Sequence, residues 1–338
     1  MIKRLKDRSA QTHRRSAMER FLGNGGIVIT LLIITVVATV MVEPRFINKL
    51  NLLNVMRNFS FLLIPAMAQM LVMTSGGFDL SLGAVVALAS LVTALTMGAM
   101  AAAFPGNELL AIVVAFGGVV GVGIAVGLTN AVLIARLALS PFMVTLAMMS
   151  VLTGIALYYT QGIPVYGVAE SFITTVGRGR IGAVPYVLIL ALAILVACII
   201  MQRATRFGRY VYAVGSDERA ARLSGVSTRR VLVLTYVVAG ILAALTGFLM
   251  TSRIGSGQAT IGGTLALETI AAAVIGGVSL RGGVARAELV AVAVLFLTVV
   301  ANAMNLIKID SKFQTLVLGL VLIIALGIER LILRGKSA

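Results

Sequence analysis

The chain has 338 residues, of which 59% are hydrophobic and only 12% charged, and its mean hydropathy is +1.06; soluble domains carry roughly a quarter charged residues. This balance excludes an ordinary soluble domain, and the continuous apolar runs exclude the period-two alternation of a transmembrane barrel, leaving an all-α integral membrane protein. The net charge of +16 follows from the bias of basic residues toward cytoplasmic loops rather than from contact with nucleic acid.

Residues 1–20 form a basic tail with Lys3, Arg4, Lys6, Arg8, Arg14, Arg15 and Arg20. The apolar run after it has no convincing small-residue cleavage site, so the tail reads as retained and cytoplasmic. From residue 21 to 338 the chain reads as one transmembrane domain. Its first span, Phe21 to Val42, is about 33 Å long as a helix, enough for a hydrocarbon core of roughly 30 Å. Hydropathy then places spans over Leu52–Met73, Leu80–Ala103, Leu109–Ala135, Pro141–Tyr159 and Pro185–Met201. After a polar loop come Val231–Met250, Leu265–Leu280, Leu289–Leu306 and Phe313–Ile332, for about ten transmembrane helices in all.

The loop between spans six and seven, residues 203–230, is the only long polar interruption in this apolar region. It carries Arg203, Arg206, Arg209, Arg219, Arg222, Arg229 and Arg230 against Asp217 and Glu218. Its middle, Ser216 to Leu223, reads as a short helix. Ser216 is suited to the N-cap, Asp217 and Glu218 to the positive end of the dipole, and Gly225 to the left-handed residue beyond the C-cap.

An even number of spans puts both termini on one side. Of the 28 basic residues, eight (Arg45, Lys49, Arg57, Arg178, Arg180, Arg253, Lys308 and Lys312) fall opposite that side, and the other twenty share it. The termini and the 203–230 loop are therefore expected in the cytoplasm. Two four-span blocks flank the loop with opposite starting directions, an arrangement that suits an inverted repeat. Only Gly-rich similarity links the blocks, Ser75-Gly76-Gly77-Phe78-Asp79-Leu80-Ser81 against Ile275-Gly276-Gly277-Val278-Ser279-Leu280.

Chemistry-bearing residues are few. His13 is the only histidine and Cys198 the only cysteine, which excludes a histidine metal site, a histidine-dependent triad and a disulfide framework. Gly335-Lys336-Ser337 imitates the end of a phosphate loop, but Arg330 stands where its earlier glycine belongs and no strand precedes it. No nucleotide, metal or other cofactor is expected on this chain. Asp79 reads as a cap at the start of span three rather than a proton site. Glu268, amid apolar neighbours, reads as pathway lining, as a proton-coupling acid, or as a structural hydrogen bond near a helix start. Gln69, Asn130, Asn302 and Asn305 are further candidates for a polar route, though such amides also join helices. Gly117, Gly118, Gly121, Gly123 and Gly127 suit close helix packing.

Three segments together resemble permease subunits of ATP-binding cassette importers of the ribose or monosaccharide type: SGGFDLSLGAVVAL at 75–88, GSDERAARLSGVSTRRV at 215–231, and GQATIGGTLALETIAAAVIGGVSLRGG at 257–283. The resemblance runs from about Asn51 to Leu333. It implies that the 215–225 helix is a coupling helix seated on a separate ATPase subunit, which holds ATP and magnesium. The matching positions are Glu218, Ala220, Ala221 and Gly225; Asp217, Arg219 and Arg222 complete the expected ATPase-coupling set, the two arginines as partners for acidic groups. It further implies a second permease copy or a paralogue, an external sugar-binding protein, and a place in the bacterial cytoplasmic membrane. The rivals are a proton-coupled secondary transporter using Glu268 and a non-transporting receptor or scaffold.

Overall fold

The computed structural model describes residues 26–310 and positions 313–317, 319–320, 323 and 327. The expected basic tail and most of the tenth span lie outside the described residues. The helices are α1 (Gly26–Val42), α2 (Lys49–Thr74), α3 (Leu82–Ala103), α4 (Glu108–Ala135), α5 (Pro141–Thr160) and α6 (Tyr186–Ala204). They continue as α7 (Arg206–Ser216), α8 (Glu218–Leu223), α9 (Thr228–Ile254), α10 (Leu265–Ile275) and α11 (Ala287–Leu306). Among the described residues, seven helices are long and apolar enough to cross a membrane, and α1 and α10 are shorter apolar helices. The only strands among them, Arg180–Ile181 and Val184–Pro185, form a two-residue ribbon.

α9 occupies the centre. Tyr236, Ala239, Ala243 and Ala244 along it are fully buried. It crosses α4 with the two backbones almost touching: a β-carbon on Gly123 would lie 2.7 Å from the Gly240 carbonyl oxygen. Gly127 makes the same kind of approach at Tyr236 and Val237. Only these two of the five span-four glycines serve helix packing this closely; Gly117 and Gly121 face open space, and Gly118 makes an ordinary contact with Val92. On the perimeter, α1, α4, α5 and α6 expose Ile33, Ile34, Val113, Val151, Ile189 and Val196. That belt suits acyl chains, since lipid is as apolar as the side chains facing it.

Span eight takes a different form from the sequence expectation. α10 has 11 residues, about 16 Å of helix and roughly half a bilayer core. Before it, residues 255–264 are turns and coil that run back along α3, with Gly257 against Ser90, Leu91 and Ala94, and Gly262 against Gly83. Coil plus half-helix therefore return the chain to the end of the bundle from which both α9 and α11 start. Irregular backbone inside a membrane bundle needs protein partners, and these are present. Gly257 exchanges two 2.8 Å hydrogen bonds with Val165, and Gln258 N donates to Ser90 Oγ at 3.3 Å.

Asn51 of α2 and Asn302 of α11 form a reciprocal amide clasp, with Nδ2 donating to Oδ1 in both directions at 2.9 and 2.8 Å. Removing either side chain breaks both bonds. Asn51→Ala and Asn302→Ala should each lower stability by about 1 kcal/mol, and the double variant should lose no more than one single variant. Additive losses in a double-mutant unfolding cycle would contradict the clasp.

Candidate functional site

The three segments singled out in the sequence meet at one end of the bundle. α2 ends at Thr74, whose carbonyl accepts from Gly283 N at 2.9 Å. Gly215, in the last turn of α7, lies against the same two groups: a β-carbon there would fall 2.7 Å from Gly283 N and 2.9 Å from the Thr74 carbonyl carbon. One on Gly282 would fall 2.6 Å from Gly215 O and 2.8 Å from Gly76 Cα. Three backbones thus touch with no side chain between them, tying the ends of α2 and α7 to the turn between α10 and α11.

Residues 203–215 read from sequence as part of a charged loop, whereas the structure forms helix α7 over most of them. Its signal is there in Phe207, Val211 and Val214, spaced as one helical face. Val211 and Val214 are buried with Leu71 and Val231, and Phe207 packs at their edge, while Arg206 and Arg209 are exposed. Thr205 caps the helix by accepting from Gly208 N at 3.0 Å. Tyr212 Oη donates to Ala285 O at 2.7 Å, fastening α7 beside the junction.

α8 follows at once. Ser216, expected to cap it, is instead the last residue of α7, and Asp217 takes the cap, with Oδ1 accepting from Ala220 N at 2.9 Å. Asp217 does so better than Ser216 because its charge also meets the positive end of the helix. Arg222 reaches back to Glu218 at 2.5 Å. Gly225 has φ +83°, with Gly225 N donating to Arg222 O at 3.1 Å and Val226 N to Ala221 O at 3.0 Å. This is a complete Schellman ending, the use expected for that glycine. Ala221 turns inward onto the Leu71–Val231 cluster, whereas Arg219, Ala220, Arg222 and Gly225 are exposed. Leu223, which sequence reasoning did not single out, stands 84% exposed at the tip of this short rigid projection.

Asp79 lies just inside the junction and is buried. Ser81 holds the N-cap position of α3, and Asp79 Oδ1 accepts from Ser81 N at 2.8 Å and Ser81 Oγ at 2.5 Å. Asn130 Nδ2 of α4 donates to the same Ser81 Oγ at 3.0 Å. Burial pushes the Asp79 carboxyl up to about 6, opposed by the two Ser81 donors. Tyr236 Oη donates to Phe78 O at 3.2 Å, and Thr145 Oγ1 accepts from Leu80 N at 3.1 Å. The Asp79 connection is thereby pinned to α4, α5 and α9. Sequence reasoning missed Ser81 and Tyr236, which carry no signal apart from their neighbours.

The remaining polar candidates separate. Gln69 is fully buried in α2, with neither amide atom hydrogen-bonded among the described residues. Asn302 is in the clasp with Asn51, and Asn305 accepts from Gln314 Nε2 at 2.9 Å. Of the five, Glu268 lines a cavity. That cavity, about 520 Å³, lies in the half of the bundle away from α8, between α2, α9, α10, α11 and the helical turn 313–317. Glu268 Oε1 accepts from Thr264 Oγ1 at 2.7 Å. Arg253, also on its lining, donates to Asn58 at 2.8 Å, with its guanidinium 5.5 Å from the Phe61 ring centre. Sequence reasoning counted Arg253 only as a loop charge; its place in the last turn of a span was the missed signal.

The family described as "Branched-chain amino acid transport system / permease component" matches residues 51–326, taking in the junction, the projecting helix and the cavity. The chain belongs to this family. Among similar proteins, a ribose import permease protein of Bacillus subtilis is 35% identical, with 88% of this chain and 90% of the relative covered. A ribose import permease protein of Escherichia coli is 34% identical, covering 90% and 92%. A galactose/methyl galactoside import permease protein of Haemophilus influenzae is 34% identical, covering 86% and 89%. No solved structure matches. The α7–α8 projection and the half-helix α10 both fall within the residues that the family matches.

Proposed function

We propose that this permease is the membrane-spanning subunit of an ATP-binding cassette importer for a monosaccharide or a related polyol. The single observation that carries this reading is its likeness, over almost the whole chain, to import permeases named for ribose and galactose. It is a transporter component and not an enzyme; ATP and magnesium belong to a separate ATPase subunit. Two permeases work with two ATPase subunits, an external binding protein delivers the sugar, and both termini face the cytoplasm in a bacterial inner membrane. α8 is the coupling helix. A short helix fixed at both ends transmits displacement where a loop would absorb it, and Arg219 and Arg222 suit acidic groups on the ATPase. Closure of the motor would shift α8, and the backbone junction at Gly215 would pass that shift to α2 and α10, switching the side to which the route opens.

Proteoliposomes holding the permease, its ATPase and its binding protein test this. Uptake should be stopped by vanadate and survive a protonophore; collapse with the protonophore would favour a proton-coupled carrier. Gly225→Arg should cut ATPase copurification by at least tenfold with unchanged membrane abundance. The left-handed backbone costs a non-glycine residue about 1–2 kcal/mol, and the new side chain adds bulk beside α8. Unchanged copurification would count against α8 as the docking element.

A further inference from the structure

The cavity between α2, α9, α10 and α11 has no assigned occupant. We infer that it is a subsite for the transported solute inside each permease, built for a neutral polyhydroxyl molecule; the inference rests on the sugar-import reading and gives it a location.

Charge is the first argument. Arg253 and Glu268 both line the cavity, and ionisable groups within a membrane bundle persist where they face a partner or a wetted space. Yet these two do not pair with each other. Arg253 donates to the Asn58 amide and Glu268 accepts from the Thr264 hydroxyl, one side-chain bond each among the described residues. A guanidinium has five N–H groups and a carboxylate about four acceptor sites, so among the described residues both groups keep unused capacity. The lining thus holds both a donor and an acceptor. A simple anion would be opposed by Glu268 and a simple cation by Arg253, whereas a sugar hydroxyl both donates and accepts and can satisfy either.

Shape is the second. The volume of about 520 Å³ falls in the usual range for small-molecule sites, roughly 300–1,000 Å³. Leu62, Leu265 and Val300 line the same cavity, giving apolar surface suited to the C–H face of a sugar. Position is the third. The cavity is closed on one side by the first turn of a half-length helix that follows irregular backbone. Binding sites in transporters commonly form at such interruptions, because only there do backbone and side-chain polar groups turn inward at membrane depth.

The test uses the assembled transporter with D-ribose and D-galactose as probes. The double variant Glu268→Gln/Arg253→Gln should lower uptake at least tenfold, and Glu268→Gln alone only a few-fold, while ATPase copurification and basal ATP hydrolysis stay within twofold of wild type. Because Cys198 is buried, Thr264→Cys in the full-length permease gives a second readout. Labelling from outside by a small cationic thiosulfonate should be slowed at least fivefold by a transported sugar. Wild-type uptake by the double variant together with unprotected labelling overturns the subsite but leaves the sugar-import reading standing. No uptake of any sugar by the wild-type assembly overturns both. Protection by L-leucine and not by sugars overturns the polyhydroxyl assignment, since a zwitterion also matches two opposed charges.

Discussion

Gly215→Ala is expected to reduce uptake more than tenfold while the permease stays in the membrane and keeps its ATPase bound. The methyl group has nowhere to go. It would fall within 3 Å of Gly283 N and of the Thr74 carbonyl carbon, and both belong to backbone, which cannot rotate aside as a side chain can. The end of α7 must therefore move off the end of α2 and the turn between α10 and α11. The exposed face of α8, a separate helix capped by its own Asp217 and Gly225, is untouched by that displacement, so partner binding persists while transmission fails. Uptake within twofold of wild type would show that the junction is not the route of force. Loss of ATPase binding in parallel would show that α8 depends on the junction for its own shape.

The second large effect is at Asp79. Its carboxyl has an ordinary value of 3.8 and is raised to about 6 in the fold, so it behaves as an acid whose protonated form the fold prefers. Its contribution to stability is complete below about pH 4 and is lost as pH rises through 6. Two pKa units correspond to roughly 3 kcal/mol. Asp79→Asn keeps the Oδ1 acceptor for Ser81 and removes the ionisation, so its stability should be flat from pH 4 to 8 and should exceed wild type above pH 6. Asp79→Leu leaves Ser81 N and Oγ without their acceptor in a buried site, at about 1–3 kcal/mol each, and should not accumulate as folded protein. Thermal unfolding in detergent across that pH range checks both; wild-type stability that rises with pH would refute the sign.

Hydropathy made most of the fold legible. Runs such as 109–135 and 141–159 are long, apolar and bounded by turn residues, so they became α4 and α5 within a residue or so. It failed where length and apolarity stopped meaning the same thing. Residues 265–280 are apolar enough to cross, but Gly276 and Gly277 end α10 after 11 residues; backbone contacts along α3, invisible in one dimension, supply the rest of the return. The 203–230 stretch failed in the opposite way. Its arginines hid an amphipathic helix whose apolar positions are few but spaced to bury Val211 and Val214. Gly225 was readable because a helix ending needs only local chemistry. Asn302 and Asn130 were not assignable, since a lone amide looks the same whether it clasps Asn51, supports Ser81 or faces a solute.

The pair of hydrogen bonds between Val165 and Gly257 has a mechanical consequence. Val165 lies in a stretch with Ile163 and Tyr166 largely exposed, and Gly257 begins the coil that ends at Thr264 on the cavity wall. Two bonds in opposite directions leave no slack, so a protein that presses on that exposed stretch also tugs the lining of the chamber beneath it. The permease thus carries a drawstring running inward from the end of the bundle away from α8.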